Sequence, residues 1–408
     1  MTLPKIVYRL PQYTARAALP LVKFPEPPTL KGAGMVTRFP EVMATTGIRR
    51  VLVVCGPTVY ASGMLSPFLD ALEANGIAPV VFHGVSPNPT FKNVYAAIEM
   101  YQSHFCDSVV AFGGGSAIDC AKITAAKITN DKPIERMAGL FRLAHRLPPF
   151  FAVPTTAGSG SEASIAAVVT NEERHKKLKM ADAKLCPLAV VLDPELTRSM
   201  PADDVTAYAG MDALTHAVEA YIGLFDTPYV REKSLDASRR ILAALPKAFD
   251  DPDDLDARLT MQEAAMDAGK AFTRAMVGYV HAIAHAVGGL YNLPHGLACA
   301  AILPRVLAFS KPAATQKLAE LAYNAELGGP ECSDEELADA LIAEIEAMNR
   351  RFGIPQTLDA LRVEDIPELA RLALAEANPV YPVPRIMDYN DCIELLGKLL
   401  PEDETPRY

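Results

Sequence analysis

From residue 49 to residue 129 short apolar runs alternate with amphipathic stretches, and this alternation constrains the fold more than any other feature of the chain. "RRVLVVCG" (49–56) has the composition of a buried strand and is followed by a helical pattern in "MLSPFLDALEANG" (64–76). "APVVFHG" (78–84) and "TFKNVYAAIEMYQSH" (90–104) repeat the pair, and "DSVVAFGGGS" (107–116) runs into "AIDCAKITAAKIT" (117–129). Strand, helix, strand, helix at this spacing predicts a parallel sheet covered on both faces. "PPFFAVPTT" (148–156) and "PLAVVLDP" (187–194) read as further strands of the same half. Beyond Pro201 the character changes: alanine and leucine at helical spacing dominate from about 203 to 400, broken by the turn-rich "DDPDDLDA" (250–257) and "AELGGPECSDEE" (325–336). At 408 residues the chain exceeds one ordinary core. The expected layout is a Rossmann-like α/β domain over 1–200 and an all-helical domain over 201–408.

Bulk chemistry removes several function classes. A net charge of −10 without a basic block argues against a nucleic-acid partner; the nearest approach to such a block, "RHKKLKM" (174–180), is short and has acidic neighbours. No run approaches the length that a bilayer requires, and the first twenty residues, interrupted by prolines and arginines, lack the apolar core of a secretory signal. Seven cysteines (55, 106, 120, 186, 299, 332 and 392) are dispersed singly, which suits reduced thiols and a cytoplasmic location.

Two glycine-rich turns follow expected strands. "AFGGGSAID" sets Gly113, Gly114, Gly115 and Ser116 where a strand becomes a helix, an arrangement that brings backbone amides and a helix amino terminus to a phosphate. "PTTAGSGSEAS" (154–164) is a second such turn, with hydroxyls on Thr155, Thr156, Ser159 and Ser161. Either alone can be a tight turn and nothing more. Together, at the carboxyl ends of strands in one open sheet, they point to a phosphate-bearing ligand such as a dinucleotide, although the spacing is not G-x-G-x-x-G.

The histidines carry the second signal. Past residue 200 there are four, His216, His281, His285 and His295, confined to two segments. In "GMDALTHAVEAYI" (210–222) Asp212 and His216 lie four apart, on one face of a helix; His281 and His285 repeat that spacing, and His295 follows a Gly-Gly pair and a proline. A lone histidine on an apolar face is ordinarily a core residue; four clustered with a carboxylate suggest a site for Fe²⁺, Zn²⁺, Co²⁺ or Mn²⁺. Spacing leaves open which of the three later histidines stand off the metal.

With "SPNPT" (86–90), "GGGSAID" (113–119), "PTTAGSGSE" (154–162), "LDPELT" (192–197), "GMDALTHAVEAYI" and "VHAIAHAVGGLYNLPHGLACAAILP" (280–304), the chain resembles the iron-containing (group III) alcohol dehydrogenase family along most of its length. The resemblance implies a dehydroquinate synthase-like architecture with a nucleotide-binding α/β domain, a helical metal domain and a cleft between them. It implies Asp212, His216, His281 and His295 as metal ligands and His285 as a non-ligating neighbour near substrate and nicotinamide. It further implies that Gly114, Gly115, Ser116, Thr155, Thr156 and Lys177 line the dinucleotide site, with Asn88 and Asp119 towards its nicotinamide end.

One departure bears on cofactor choice. Where NAD-using relatives commonly end the first strand in an aspartate, this chain has Gly56, which removes a carboxylate facing the ribose and favours NADP over NAD. The implied activity is hydride transfer between nicotinamide and a small aliphatic alcohol or aldehyde, with a metal (Fe²⁺, or Zn²⁺) as Lewis acid and His285 relaying a proton. The alternative within the superfamily is a glycerol- or polyol-type dehydrogenase. By analogy with the family a homo-oligomer, a dimer or larger, is expected.

Overall fold

The computed structural model describes residues 5–18, 22–173, 176–200, 205–401 and 404. The elements begin with α1 (Lys5–Ala18), β1 (Thr29–Lys31), α2 (Met35–Ala44), β2 (Arg50–Val54), α3 (Pro57–Ala61), α4 (Ser66–Ala74), β3 (Ala78–Phe82), α5 (Phe91–Ser103), β4 (Ser108–Gly113) and α6 (Gly115–Thr129). They continue with α7 (Ile134–Met137), β5 (Gly139–Leu140), β6 (Phe150–Pro154), β7 (Ala166–Asn171), β8 (Lys176–Ala181) and β9 (Ala189–Leu192). Helices complete the chain: α8 (Ala207–Ile222), α9 (Pro228–Asp250), α10 (Leu255–Ala275), α11 (Tyr279–Tyr291), α12 (His295–Asn324), α13 (Asp334–Arg351), α14 (Ile366–Ala377) and α15 (Tyr389–Gly397).

The first compact unit, Lys23–Met200 with Pro252–Gly269, is built on a six-stranded sheet of order β1-β9-β6-β4-β2-β3 in which every pairing is parallel. Alternate residues of each strand enter opposite cores. Val51, Val53, Val110, Phe112 and Phe151 pack on one face, and Leu52, Val54, Val109, Ala111 and Phe150 on the other. Burial on both faces is why these strands read as unbroken apolar runs; each such side chain contributes roughly 1.5–3 kcal/mol. The chain reverses direction across the sheet between β2 and β4. That is the switch point at which open α/β sheets bind ligands; β2 ends there at Val54, two residues before Gly56, and β4 ends at Gly113. A three-stranded sheet, β5-β8-β7, is an addition that the sequence pattern does not announce; β7 and β8 form an antiparallel hairpin.

The second unit, Met1–Val22, Pro201–Asp251 and Lys270–Tyr408, is helical throughout its described residues. The expected division at 200/201 is therefore departed from at both ends. Hydrogen bonds tie α1 to the helices: Arg9 donates to the carbonyls of Val383 (2.6 Å) and Pro384 (2.8 Å), and Gln12 donates to that of Tyr381 (2.7 Å). The first turns of α10 belong with the sheet, where Gln262 donates to the Asp193 carbonyl (3.2 Å), Arg258 donates to the Thr197 carbonyl (2.6 Å), and Met266 packs with Ala152, Val190 and Leu192.

A second expectation also needs correction. Helix α12, with 30 residues, is long and apolar enough by length and composition to cross a membrane. In the fold 61% of its apolar window is buried, and Pro304 and Pro312 lie within it, so it is the core helix of the helical unit.

Candidate active site

In the α/β unit the two glycine turns become neighbours because β4 and β6 pair in register, Gly113 opposite Pro154. Gly113 has φ +154°, and a Cβ there would lie 2.8 Å from that of Ala117, so the turn into α6 needs glycine. A Cβ on Gly115 would meet Ser159 at 2.9 Å, and one on Gly114 would meet Thr156 at 3.1 Å. The Thr155 amide donates to the Gly113 carbonyl (3.1 Å). Gly56 stands at the amino end of α3 in extended conformation, with room for a Cβ at 3.4 Å from the Val85 carbonyl.

The loop bearing Asn88 is fastened by Asn93, whose amide donates to the Gly84 carbonyl (2.8 Å) and accepts from the Thr90 amide (3.0 Å) and the Ser86 hydroxyl (2.7 Å). Lys177, on β8, donates to the Asn88 side chain at 3.2 Å, and the Ser116 hydroxyl donates to the Pro87 carbonyl. Six of the expected dinucleotide residues (Asn88, Gly114, Gly115, Ser116, Thr155 and Thr156) thus belong to turns that follow the carboxyl ends of strands of the main sheet, and Lys177 meets Asn88 from the amino end of β8.

Asp119 has a different position from theirs. Its oxygens accept from the Ser161 hydroxyl (2.7 Å) and the Val168 amide (2.9 Å), so it clamps the second turn to β7. Burial raises its carboxyl above the ordinary range, opposed by Lys122. Lys122 is fully buried on α6 and donates to the carbonyls of Ser161 (2.6 Å), Ser164 (2.7 Å) and Ala166 (2.9 Å); burial lowers its pKa to about 8. Sequence reading passed over it because a lysine in an amphipathic stretch ordinarily faces water.

In the helical unit three of the expected metal residues converge. Asp212 Oδ1 lies 3.7 Å from His281 Nε2 and 3.5 Å from His295 Nε2. His216 stands against the same group: its Nδ1 is 3.9 Å from Asp212 Oδ2, and its ring centroid is 4.4 Å from that of His281 and 4.4 Å from that of Phe272. Among the described residues, a set of donor atoms lying within 4.8 Å of one another comprises Asp212, His281, His295 and Cys299, a residue that the sequence reading left aside. Close approaches at two glycines accompany this geometry. A Cβ on Gly296 would lie 2.2 Å from the Tyr208 carbonyl oxygen, and one on Gly278 would lie 2.7 Å from Glu219 Oε1.

Glu219 is the other residue that sequence reading missed. It lies seven residues after Asp212 and three after His216, so all three share a face of α8. Its carboxylate accepts from the amides of Gly278 (2.8 Å) and Val280 (2.7 Å) and from His281 Nδ1 (2.6 Å). A proton held on Nδ1 leaves the Nε2 lone pair directed at Asp212, as metal-ligating histidines require. Asp212 Oδ1 and His281 Nε2 are both buried without a hydrogen-bond partner. Two such orphans facing each other are costly unless a cation lies between them, and this donor set fits one.

The electrostatics agree. Burial would raise the Asp212 carboxyl, but the imidazoles of His216, His295 and His281 outweigh it and hold the group well below the ordinary range. Burial would likewise lower His281, but Asp212 and Glu219 push it up to about 9. The cluster is built to carry positive charge.

His285, one turn after His281 on α11, stays outside the set. Its ring stacks on that of His295 (centroids 5.2 Å apart, planes 8° apart), and its Nδ1 faces Glu376 Oε1 at 2.8 Å. Glu376 also accepts from the Tyr381 hydroxyl (2.6 Å). The side chain of His285 is 19% exposed, so unlike His281 it has access to solvent.

Residues 27–194 match the family model described as iron-containing alcohol dehydrogenase, and residues 206–400 match that of the C-terminal domain of the Fe-containing alcohol dehydrogenase family. The 1,3-propanediol dehydrogenase of Citrobacter freundii is 39% identical over 301 residues, 73% of this chain and 78% of that protein. The NAD-dependent methanol dehydrogenase of Bacillus methanolicus is 31% identical over 379 residues, 92% and 99% of the respective chains. A crystal structure of 1,3-propanediol oxidoreductase superposes with a TM-score of 0.89 at 33% identity, covering 93% of this chain and all of the other.

Proposed function

The chain belongs to the iron-containing alcohol dehydrogenase family, and we propose on that premise how its residues divide the work of an NAD(P)-linked alcohol dehydrogenase. Asp212, His216, His281 and His295 hold a divalent metal, iron or zinc, in the helical unit. Gly56, Asn88, Gly114, Gly115, Ser116, Thr155, Thr156 and Lys177 bind the dinucleotide in the α/β unit, and Asp119 shapes their second turn. When bound, the metal polarises the oxygen of a small aliphatic alcohol or aldehyde, and the nicotinamide gives or takes the hydride. Glu219 fixes the tautomer of His281. His285 carries the hydroxyl proton: Glu376 holds its Nδ1, and the exposed edge of its ring gives the proton a way to water.

The observation that carries this reading is the pair of orphaned buried atoms, Asp212 Oδ1 and His281 Nε2. His281→Ala is expected to lose both bound metal and turnover with a panel of aldehydes; full metal content and full turnover in that variant sink the assignment. His285→Ala is expected to keep the metal and lose the wild-type pH–rate profile.

NADP is the preferred dinucleotide on this reading, because Gly56 offers no carboxylate to a ribose 2′-phosphate and its surroundings leave space. Gly56→Asp is expected to shift the ratio of kcat/KM for NADPH over NADH at least tenfold towards NADH. A wild type that already prefers NADH refutes the preference without touching the metal centre. Free thiols at all seven cysteines suit a reducing compartment, which supports a cytoplasmic setting, and assembly as a homo-oligomer is carried over by analogy with the family.

A further inference from the structure

Between α14 and α15 the chain runs through residues 378–388 without regular structure, and Pro379, Pro382 and Pro384 remove three of its backbone donors. A segment so poor in donors takes its position from what its carbonyls meet. The carbonyls of Tyr381, Pro382, Val383 and Pro384 all accept from distant parts of the helical unit. That of Pro382 accepts from the Leu224 amide (2.7 Å), and the other three accept from α1. Arg9 spans Val383 (2.6 Å) and Pro384 (2.8 Å) with its two terminal nitrogens, and the buried Gln12 reaches Tyr381 (2.7 Å). Arg9 also donates to Gln12 Oε1 (2.9 Å), which turns the NH₂ of the glutamine towards the segment. The family match begins at residue 27, so α1 lies outside the part of the chain that the family model describes.

Tyr381 is where the segment reaches the site. Its phenol donates to Glu376 Oε1 (2.6 Å), the same oxygen that His285 Nδ1 faces at 2.8 Å. A shift of the backbone at 381–384 therefore passes through the phenol and the carboxylate to the imidazole. The turn of α11 that carries His281 has anchors of its own. Glu219 holds the Gly278 and Val280 amides, and the Tyr279 hydroxyl donates to Asn378 Oδ1 and accepts from the Met387 amide (2.8 Å).

We propose that α1 is a positioning strap for the proton-carrying histidine: Arg9 and Gln12 pin residues 381–384, so that Tyr381 and Glu376 hold the ring of His285 in its working orientation. The proposal rests on the reading of His285 as the proton carrier and deepens it. The strap makes and breaks no covalent bond; it supplies orientation, where a displacement of about 1 Å can cost about 100-fold in rate.

The test uses the full-length protein with Arg9→Ala and Gln12→Ala combined. This variant is expected to keep its metal and to hold KM for an aldehyde within about twofold of wild type, while kcat and the single-turnover rate, followed by nicotinamide absorbance, fall roughly 10- to 100-fold. Hydrogen exchange should quicken at the Leu224, Tyr381 and Val383 amides. Arg16→Ala, which cuts the ion pair of α1 with Asp226 and touches none of residues 381–384, is expected to match wild type in rate and exchange. A double-mutant cycle separates positioning from a general loss of structure. Once the imidazole is gone the strap has nothing to orient, so His285→Ala with and without the Arg9 and Gln12 substitutions should turn over within about twofold of each other. Wild-type kcat in the Arg9 and Gln12 variant, or a full further loss in the His285→Ala background, overturns the strap and leaves the relay standing. Wild-type turnover in His285→Ala overturns both. If the combined substitutions unfold the chain, Tyr381→Phe, which removes only the hydroxyl, decides: a lowered kcat with metal retained supports the strap, and an undiminished kcat overturns it.

Discussion

Glu219→Gln isolates the part that an outer carboxylate plays in the centre, because it changes one oxygen to an amide nitrogen and leaves the shape intact. The native carboxylate receives three N–H groups, with the amides of Gly278 and Val280 divided between its two oxygens and His281 Nδ1 on Oε2. Glutamine offers one acceptor oxygen and one NH₂ group, so whichever way the amide is turned an N–H faces an N–H. If the oxygen stays on Val280, Gly278 loses its acceptor and the NH₂ donates to His281 Nδ1. That drives the imidazole proton to Nε2, the atom aimed at Asp212. If the oxygen stays on Gly278 and His281, the tautomer survives but the Val280 amide is orphaned, at a cost of about 1–3 kcal/mol. Loss of an outer-shell carboxylate ordinarily weakens metal binding about 10–100-fold, which corresponds to about 1.4–2.7 kcal/mol. The assay is zinc competition against a chromophoric chelator, alongside urea unfolding of the metal-free protein. Expected are a rise in zinc Kd within that range and a lowered unfolding midpoint, with Glu219→Ala larger in both. A zinc Kd within threefold of wild type for both variants refutes the argument that Glu219 sets the tautomer of His281.

Lys122→Met is expected to destabilise the α/β unit by about 3–5 kcal/mol, because it strips three carbonyls of their donor and leaves the half-buried Asp119 without its counter-charge. Urea unfolding measures this, and a loss under 1 kcal/mol contradicts it; the dinucleotide Kd, read by fluorescence, should rise in parallel as the second turn loosens. Burial pushes the Cys120 thiol up to about 12 from 9.0, and a folded pKa raised in this way gives stability that is complete below pH 9 and declines as pH climbs towards 12. That thiol accounts for a loss of about 1.4 kcal/mol per pH unit above pH 9. Cys120→Ala is therefore expected to lose less stability than wild type between pH 8 and pH 10 under reducing conditions, and equal slopes in urea unfolding refute the burial argument.

What sequence discloses here is periodicity along the chain, and what it conceals is distance across the fold. The alternation of Val51 and Val53 with Leu52 and Val54 is legible because a strand buried on both faces must be apolar at every position, and the sheet follows from it. Asp212 and His216, like His281 and His285, are legible because one helical turn separates each pair. The same rule reaches Glu219 from His216 and Cys299 from His295, yet both went unread: a glutamate on an amphipathic helix passes for a solvated charge, and a lone cysteine for a small apolar filler. Only the approach of α8 to the start of α11, where the Gly278 and Val280 amides donate to its carboxylate, shows that Glu219 faces inward. Lys122 is concealed for the same reason: its three carbonyl partners lie 39 to 44 residues away in the chain, within a turn and at the start of β7, whose pairing with β8 has no periodic signature. The short basic run ending at Met180 carries no strand signal, but it contributes β8, and with it Lys177, the lysine that meets Asn88. The groups that sequence reading overlooks are the polar ones whose partners lie far along the chain. These are also the groups that hold the site in shape, so the distances around Asp212 carry more of the argument than the motif that contains it.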